Sequence, residues 1–233
     1  VLPIEGIVVP GLTSFTEIFL SQTEWEDLLT SHGILLGPPP IDHDFLNFTA
    51  DVDVNVDVDV NVNINKRVQT CRDTQFRRVT KTEHFIDWDI QMSSMACAHA
   101  SPMDIVVQSG KSVTNTLTVS GKIDSGKLLK DLSASFGVDY SHAWTSSSSL
   151  ANKASIIVGN CGAMVLNPTT TRRYGTVHQG CIGNAKKIGT FMADDSFSGS
   201  FNGIDWAAGA ISDCQKKADR PPIPRCEGAG YLT

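Results

Sequence analysis

All six cysteines of this 233-residue chain, Cys71, Cys97, Cys161, Cys181, Cys214 and Cys226, lie after residue 67. No C-x-x-C pair occurs, which argues against a zinc ribbon or a thioredoxin-type redox centre. An even count at wide spacing instead fits three disulfides formed in an oxidising compartment. Six cysteines allow fifteen pairings, and sequence alone does not choose among them. Pairing between neighbours, Cys71 with Cys97, Cys161 with Cys181 and Cys214 with Cys226, is the preferred expectation. With 41% hydrophobic residues the chain can also bury an ordinary core. No apolar run reaches the ~18–20 residues that a membrane-spanning helix needs.

Charge divides the chain at the same place as the cysteines. Residues 1–67 hold eleven acidic side chains against Lys66 and Arg67 alone, a net −9, whereas residues 68–233 hold seventeen basic and fourteen acidic ones, a net +3. Lys66-Arg67 is the only Lys-Arg dipeptide in the sequence. Other basic pairs (Arg77-Arg78, Arg172-Arg173, Lys186-Lys187, Lys216-Lys217) lack this coincidence of charge, complexity and cysteine content. A kexin-type protease is therefore expected to cut after Arg67. That cut is expected to remove an acidic pro-domain, 1–67, and release a mature β-rich domain, 68–233. The first residues, Val1-Leu2-Pro3, lack Met and a basic-then-apolar layout, so a signal peptide is expected to have been removed already.

The leader reads as a helix followed by extended chain. Residues 14–32 carry a capping-box sequence at Ser14–Glu17, an apolar face of Ile18, Trp25 and Leu29, and a stop at Gly33. Gly37-Pro38-Pro39-Pro40 cannot continue a helix and forms a stiff spacer. From Asp51 to Asn65, Val or Ile at every even position alternates with Asp or Asn at every odd one. Such a stretch is either an acidic spacer that exposes the cleavage site or a temporary edge strand added to the body. An EF-hand loop from Asp51 is excluded, because Val56 stands where the turn needs Gly. Asn47-Phe48-Thr49 is the sole N-glycosylation sequon, so Asn47 is the expected glycan site.

The body shows the period of two that strands require. Ser112–Ile123 alternates Val113, Leu117, Val119 and Ile123 with Thr and Ser. Ser133–Thr145 alternates Ala134, Phe136, Val138, Tyr140 and Trp144 with Ser135, Asp139 and Ser141. Shorter strands are expected at 85–92, 105–108, 155–158, 163–166, 175–178 and 190–192, and the tail from Lys216 reads as loop. Many short strands at this spacing predict a mainly β, disulfide-stabilised β-sandwich or β-barrel, preceded by a short helix and an extended acidic pro-segment.

Motifs for chemistry are sparse. There is no G-x-S-x-G elbow, no H-E-x-x-H and no P-loop. His84, His99, His142 and His178 are dispersed, and Cys97-x-His99 lacks the partner ligands of a metal site. Asp87-x-Asp89 and Asp194-Asp195 are carboxylate pairs, but sequence neighbours rarely face each other across the ~5–9.5 Å that a hydrolase uses. No catalytic residue, metal or cofactor is assigned, and no nucleic-acid partner is expected. The Ser/Thr-rich region 112–149 has a different reading. Leu132–Ser149 looks like the membrane-hairpin strands of aerolysin-type pore formers, with Tyr140 and Trp144 as interfacial anchors. The plainer reading is a half-buried strand pair with a solvated Ser/Thr face.

The Lys66-Arg67 junction and six cysteines confined to a β-rich mature part resemble the kexin-processed, pro-domain necrotrophic effectors of plant-pathogenic fungi. That resemblance implies a secreted toxin delivered to the host apoplast, acting as a non-enzymatic inducer of cell death through recognition of a host plant protein. The Asp/Val repeat of the leader departs from the family pattern. The expected function is thus a secreted fungal effector. The alternatives are an aerolysin-like β-pore toxin, the only case in which a membrane is a partner, and a secreted hydrolase.

Overall fold

The computed structural model describes residues 21–49, 74–107, 112–140, 143–145, 153–181, 184–196, 198–201, 204–207 and 209–233. The Ser14–Glu17 box, the stretch 51–65, Lys66, Arg67, Cys71, His142 and the serine run 146–149 lie outside these residues. In chain order the elements are α1 (Gln22–Ser31), α2 (His43–Leu46), β1 (Gln75–Ile86), β2 (Ile90–Gln91), β3 (Ala96–Cys97), β4 (Met103–Val106), β5 (Ser112–Thr114) and β6 (Thr116–Gly121). They continue with α3 (Ser125–Phe136), β7 (Ala143–Thr145), β8 (Lys153–Ile156), β9 (Asn160–Gln179), β10 (Lys186–Ser196), β11 (Ser198–Phe201), β12 (Ile204–Ala207), β13 (Gly209–Lys217), β14 (Ile223–Pro224) and β15 (Tyr231–Leu232). The protein is mainly β, and its strand pairs are antiparallel.

One strand organises the molecule. β9 is 20 residues long, and its two halves have different neighbours. Residues 160–168 pair with β13 on one side and with β2 and β3 on the other. Residues 169–179 pair with β10 and β1, and β6 adds beyond β10. Both flanking lines of strands break near Pro168, a residue with no amide hydrogen to give to a ladder. The strand is buried on both faces over most of its length, which removes the alternation expected of a half-buried strand. The pieces 163–166 and 175–178 are therefore parts of a single element, and 190–192 lies within β10.

Ser133–Thr145 is not one strand. Its first four residues belong to α3, whose N-cap Asp124 accepts a hydrogen bond from the Lys127 amide at 3.0 Å and whose C-cap Gly137 is left-handed (φ 66°). The helix buries Leu128 and Leu132, four residues apart on one face, against Val177, Phe191, Ala193 and Tyr140. Helical period therefore places Leu132 inside and Ala134 in solvent, whereas the strand expectation put Ala134 on the apolar face. The strand expected over residues 133–136 is thus replaced by helix. Tyr140 is a core residue. Ser112–Gly121 does form strands, β5 and β6. The tail from Lys216 is not all loop, because β13 reaches Lys217 and β14 pairs with β15.

Within the expected helix 14–32, the described residues form α1 with Ser21 as its N-cap. Ser21 Oγ accepts from the Glu24 amide at 3.3 Å, and Glu24 Oε2 accepts from the Ser21 amide at 2.8 Å, a complete capping box. Trp25 and Leu29 are buried on the inner face, as their spacing predicts.

The disulfides correct the expected pairing. Cys97 bonds Cys161 directly across the β3–β9 ladder, and Cys214 bonds Cys226. Cys181 is also disulfide-bonded. The neighbour pattern survives only at Cys214–Cys226, because strand pairing brings β3 beside the start of β9. No helix among the described residues is long and apolar enough to cross a membrane.

Candidate functional site

Two surfaces of the sheet meet charged residues of β9 and β10, and adjacent residues of each strand point to opposite sides. On the first side, Arg172 makes a bidentate pair with Asp194, with Nε to Oδ1 at 2.9 Å and Nη2 to Oδ2 at 2.8 Å. The guanidinium lies 5.0 Å above the Phe85 ring, and its Nη1 donates to the Pro39 carbonyl at 2.9 Å. On the second side, Arg173 Nη1 donates to Asp195 and, at 3.3 Å, to the Tyr140 hydroxyl, which itself donates to Asp195 Oδ1 at 3.1 Å. Burial raises the Tyr140 phenol above its ordinary value. His84 Nδ1 sits 2.9 Å from Thr171 Oγ1. Burial first, and the Arg173 charge second, hold this imidazole below its ordinary value.

Asp194 and Asp195 therefore do not face each other across a cleft. Each is spent on its own arginine, and the arrangement cross-links β9 to β10 electrostatically. Asp87 and Asp89 also part ways. Asp87 Oδ1 accepts from the Trp88 amide at 2.8 Å, and burial raises its pKa. Asp89 is fully buried and clamps the tail. Its Oδ2 accepts from the amides of Cys226 at 2.9 Å and Glu227 at 3.3 Å, while Arg225 Nη1 donates to both its backbone carbonyl and Oδ1. The sulfurs of Cys214 and Cys226 lie close to Asp89, but they are bonded to each other and are not thiolate ligands. Cys97 is likewise consumed by its disulfide and His99 is exposed, so Cys97-x-His99 is not a metal site.

The least expected feature is the position of the leader. Trp25, Leu29 and Ile34 pack with Ile86 and Ala210 into one buried cluster. Leu35 then makes a parallel bridge to Phe85: its amide donates to the His84 carbonyl at 2.9 Å, and its carbonyl accepts from Ile86 at 2.9 Å. Further along, the Asp42 amide donates to the Tyr174 hydroxyl at 3.0 Å, and the Phe48 amide donates to Ser120 Oγ at 3.2 Å. Phe45 meets Tyr174 edge to face at 5.5 Å, and Lys187 lies over both Phe45 and Phe48. Residues 34–48 thus form a strap across the face that carries Arg172 and Tyr174, while α3 covers the opposite face. Asn47 is exposed at the end of α2, with its sequon open to solvent.

Exposed apolar side chains gather at one end of the β4–β8 pair. Met103 stands opposite Ile156 in the ladder, and Ile157 and Val158 follow directly. Met103, Ile157 and Val158 are 44%, 58% and 49% exposed, whereas their neighbours Ile105 and Ile156 are buried in the core. This tip has no cue in the sequence, because three apolar residues in a row, Ile156-Ile157-Val158, read equally as core.

No protein-family model, curated protein or solved structure matches this chain.

Proposed function

We propose that this is a secreted, non-enzymatic effector that recognises a host plant protein and triggers cell death, matured by kexin-type cleavage at Lys66-Arg67. The observation that carries the reading is the disulfide-locked sheet, which holds an apolar tip out to solvent. Cys97–Cys161 fixes the start of β9, and Cys214–Cys226 fixes the tail beside it. Disulfide-closed frameworks of this kind belong to oxidising compartments. Met103, Ile157 and Val158 project from that rigid base, as the anchor residues of an interface do. The ion pairs of Arg172 and Arg173 serve the same end by stiffening the sheet rather than by offering a reactive group.

The test is infiltration of the purified protein into leaves of several plant lines. Cell death in some lines and not others is the expected result. Ile157→Asp/Val158→Asp should abolish it without changing the melting temperature. Unchanged cell death from that variant, or no response in any line, would refute the proposal.

A further inference from the structure

We infer that the leader does not leave when the chain is cut: residues 1–67 remain seated on the body through residues 21–49, and the processed protein is a non-covalent complex of two chains. This rests on the processing reading given above, since it concerns the state after cleavage at Lys66-Arg67. Three observations carry it. First, the described contacts of the leader end at Phe48, well before the scissile bond, so cleavage there breaks none of them. Second, those contacts are of the kind that hold a core together. Trp25 is 5% exposed and Leu29 2%, and both lie against Ile86 and Ala210 of the body. The main chain adds two hydrogen bonds at Leu35 that no side-chain change removes, and the Arg172 side chain donates a third to the Pro39 carbonyl. Third, the leader contains no cysteine, so no disulfide can account for its retention.

The partner that fits this face is therefore an acidic segment with an apolar helix followed by a proline-rich strap. The leader carries net −9 and the remainder of the chain +3, which favours the same pairing. Before the cut, the leader docks with the high effective concentration of a tethered segment. After it, only the tether is lost. Without the leader, the surface around Ile86, Phe85 and Tyr174 loses its cover, so the complex, rather than the bare 68–233 fragment, is the stable mature form.

The experiment uses the full chain, purified from secretion and treated with a kexin-type protease. Intact mass under denaturing conditions first establishes cleavage after Arg67. Size exclusion at micromolar concentration in high salt, which screens the long-range attraction, then asks whether both fragments elute together. Co-elution is the expected result. Trp25→Ala should weaken retention by at least about a hundredfold, as truncation of a buried aromatic does. If that variant does not fold, Phe45→Ala, which removes only a half-buried ring above Tyr174, should still lower the retained fraction. Cleavage followed by complete separation of the fragments would overturn the inference and leave the processing reading standing. Failure of the protease to cut native protein would overturn the processing reading, and the two-chain form with it.

Discussion

Removing the Cys97–Cys161 bridge should cost more than removing Cys214–Cys226, and by a predictable margin. The two bonds close loops of different length, with sequence separations of 64 and 12 residues. In the chain-entropy model the longer loop is worth about 4.3 kcal/mol and the shorter about 2.8 kcal/mol at 25 °C. Cys97→Ala/Cys161→Ala should therefore destabilise by ~4 kcal/mol, and Cys214→Ala/Cys226→Ala by ~3 kcal/mol. In a chain of this size those losses correspond to melting points lowered by about 8–16 °C and about 6–12 °C. Urea unfolding followed by tryptophan fluorescence measures both, provided the slope with denaturant stays constant between variants. Disulfide mapping of the native protein should recover the two pairs and leave Cys181 with the one remaining cysteine, Cys71. Equal losses from the two double variants, or a larger loss from the shorter loop, would refute the entropic reasoning. Recovery of a Cys71–Cys97 peptide would refute the pairing itself.

Three further perturbations probe other parts of the fold. Leu132→Ala should cost about 2–5 kcal/mol while Ala134→Lys stays within about 0.5 kcal/mol, because α3 turns one residue inward and the other to solvent; a comparably large loss from Ala134→Lys in thermal melts would restore the strand reading, which puts both residues on one face. Asp89→Ala leaves the Cys226 and Glu227 amides without their acceptor and takes the carboxylate from Arg225, which keeps only the backbone carbonyl; it should cost about 2–4 kcal/mol, with protease cuts appearing after residue 217 ahead of global unfolding. His84 binds a proton less readily in the folded state than in the unfolded one, so its contribution to stability is full above its ordinary value of 6.5 and declines as pH falls below it toward the lower native value. His84→Gln should therefore lose less stability than the parent between neutral and mildly acidic pH, and parallel stability curves for the two proteins would show that the imidazole is not held neutral.

The strength of each sequence signal explains which parts of the structure were readable. Ser112–Gly121 was legible because β6 is half-buried, and Leu117 and Val119 alternate cleanly with Thr and Ser. β9 was seen only in pieces, since burial on both faces erases alternation and its polar middle, Asn167 to Arg173, looks like loop. Thr169, Thr170 and Thr171 are nevertheless buried there. Residues 133–136 satisfied a period of two as well as helical spacing, and the deciding signals were local ones, Asp124 before the helix and Gly137 after it. The described start of α1 carries its own S-x-x-E sequence at Ser21–Glu24.

Long-range features were less accessible. Cysteine pairing follows strand order, which spacing does not encode, so Cys97 finds Cys161 across the ladder instead of its neighbour. The net −9 of the leader read as a separate unit, but charge describes solvent exposure and not where Trp25 and Leu29 are buried. An amphipathic helix this short needs a partner surface, and only the fold shows that the partner is Ile86 and Ala210. The charged pairs were visible as residues yet not as partners. Register alone sets Asp194 opposite Arg172 and leaves Asp195 to Arg173 on the other face.

Residues 21–49 belong to the folded body, and amide hydrogen exchange on the intact chain measures this directly. Protection tracks the stability of the structure that holds each amide. The amides of Leu35 and Ile86, which bond the two segments together, should exchange as slowly as those of β9. Exchange of Leu35 at the rate of an unstructured peptide while β9 stays protected would contradict it.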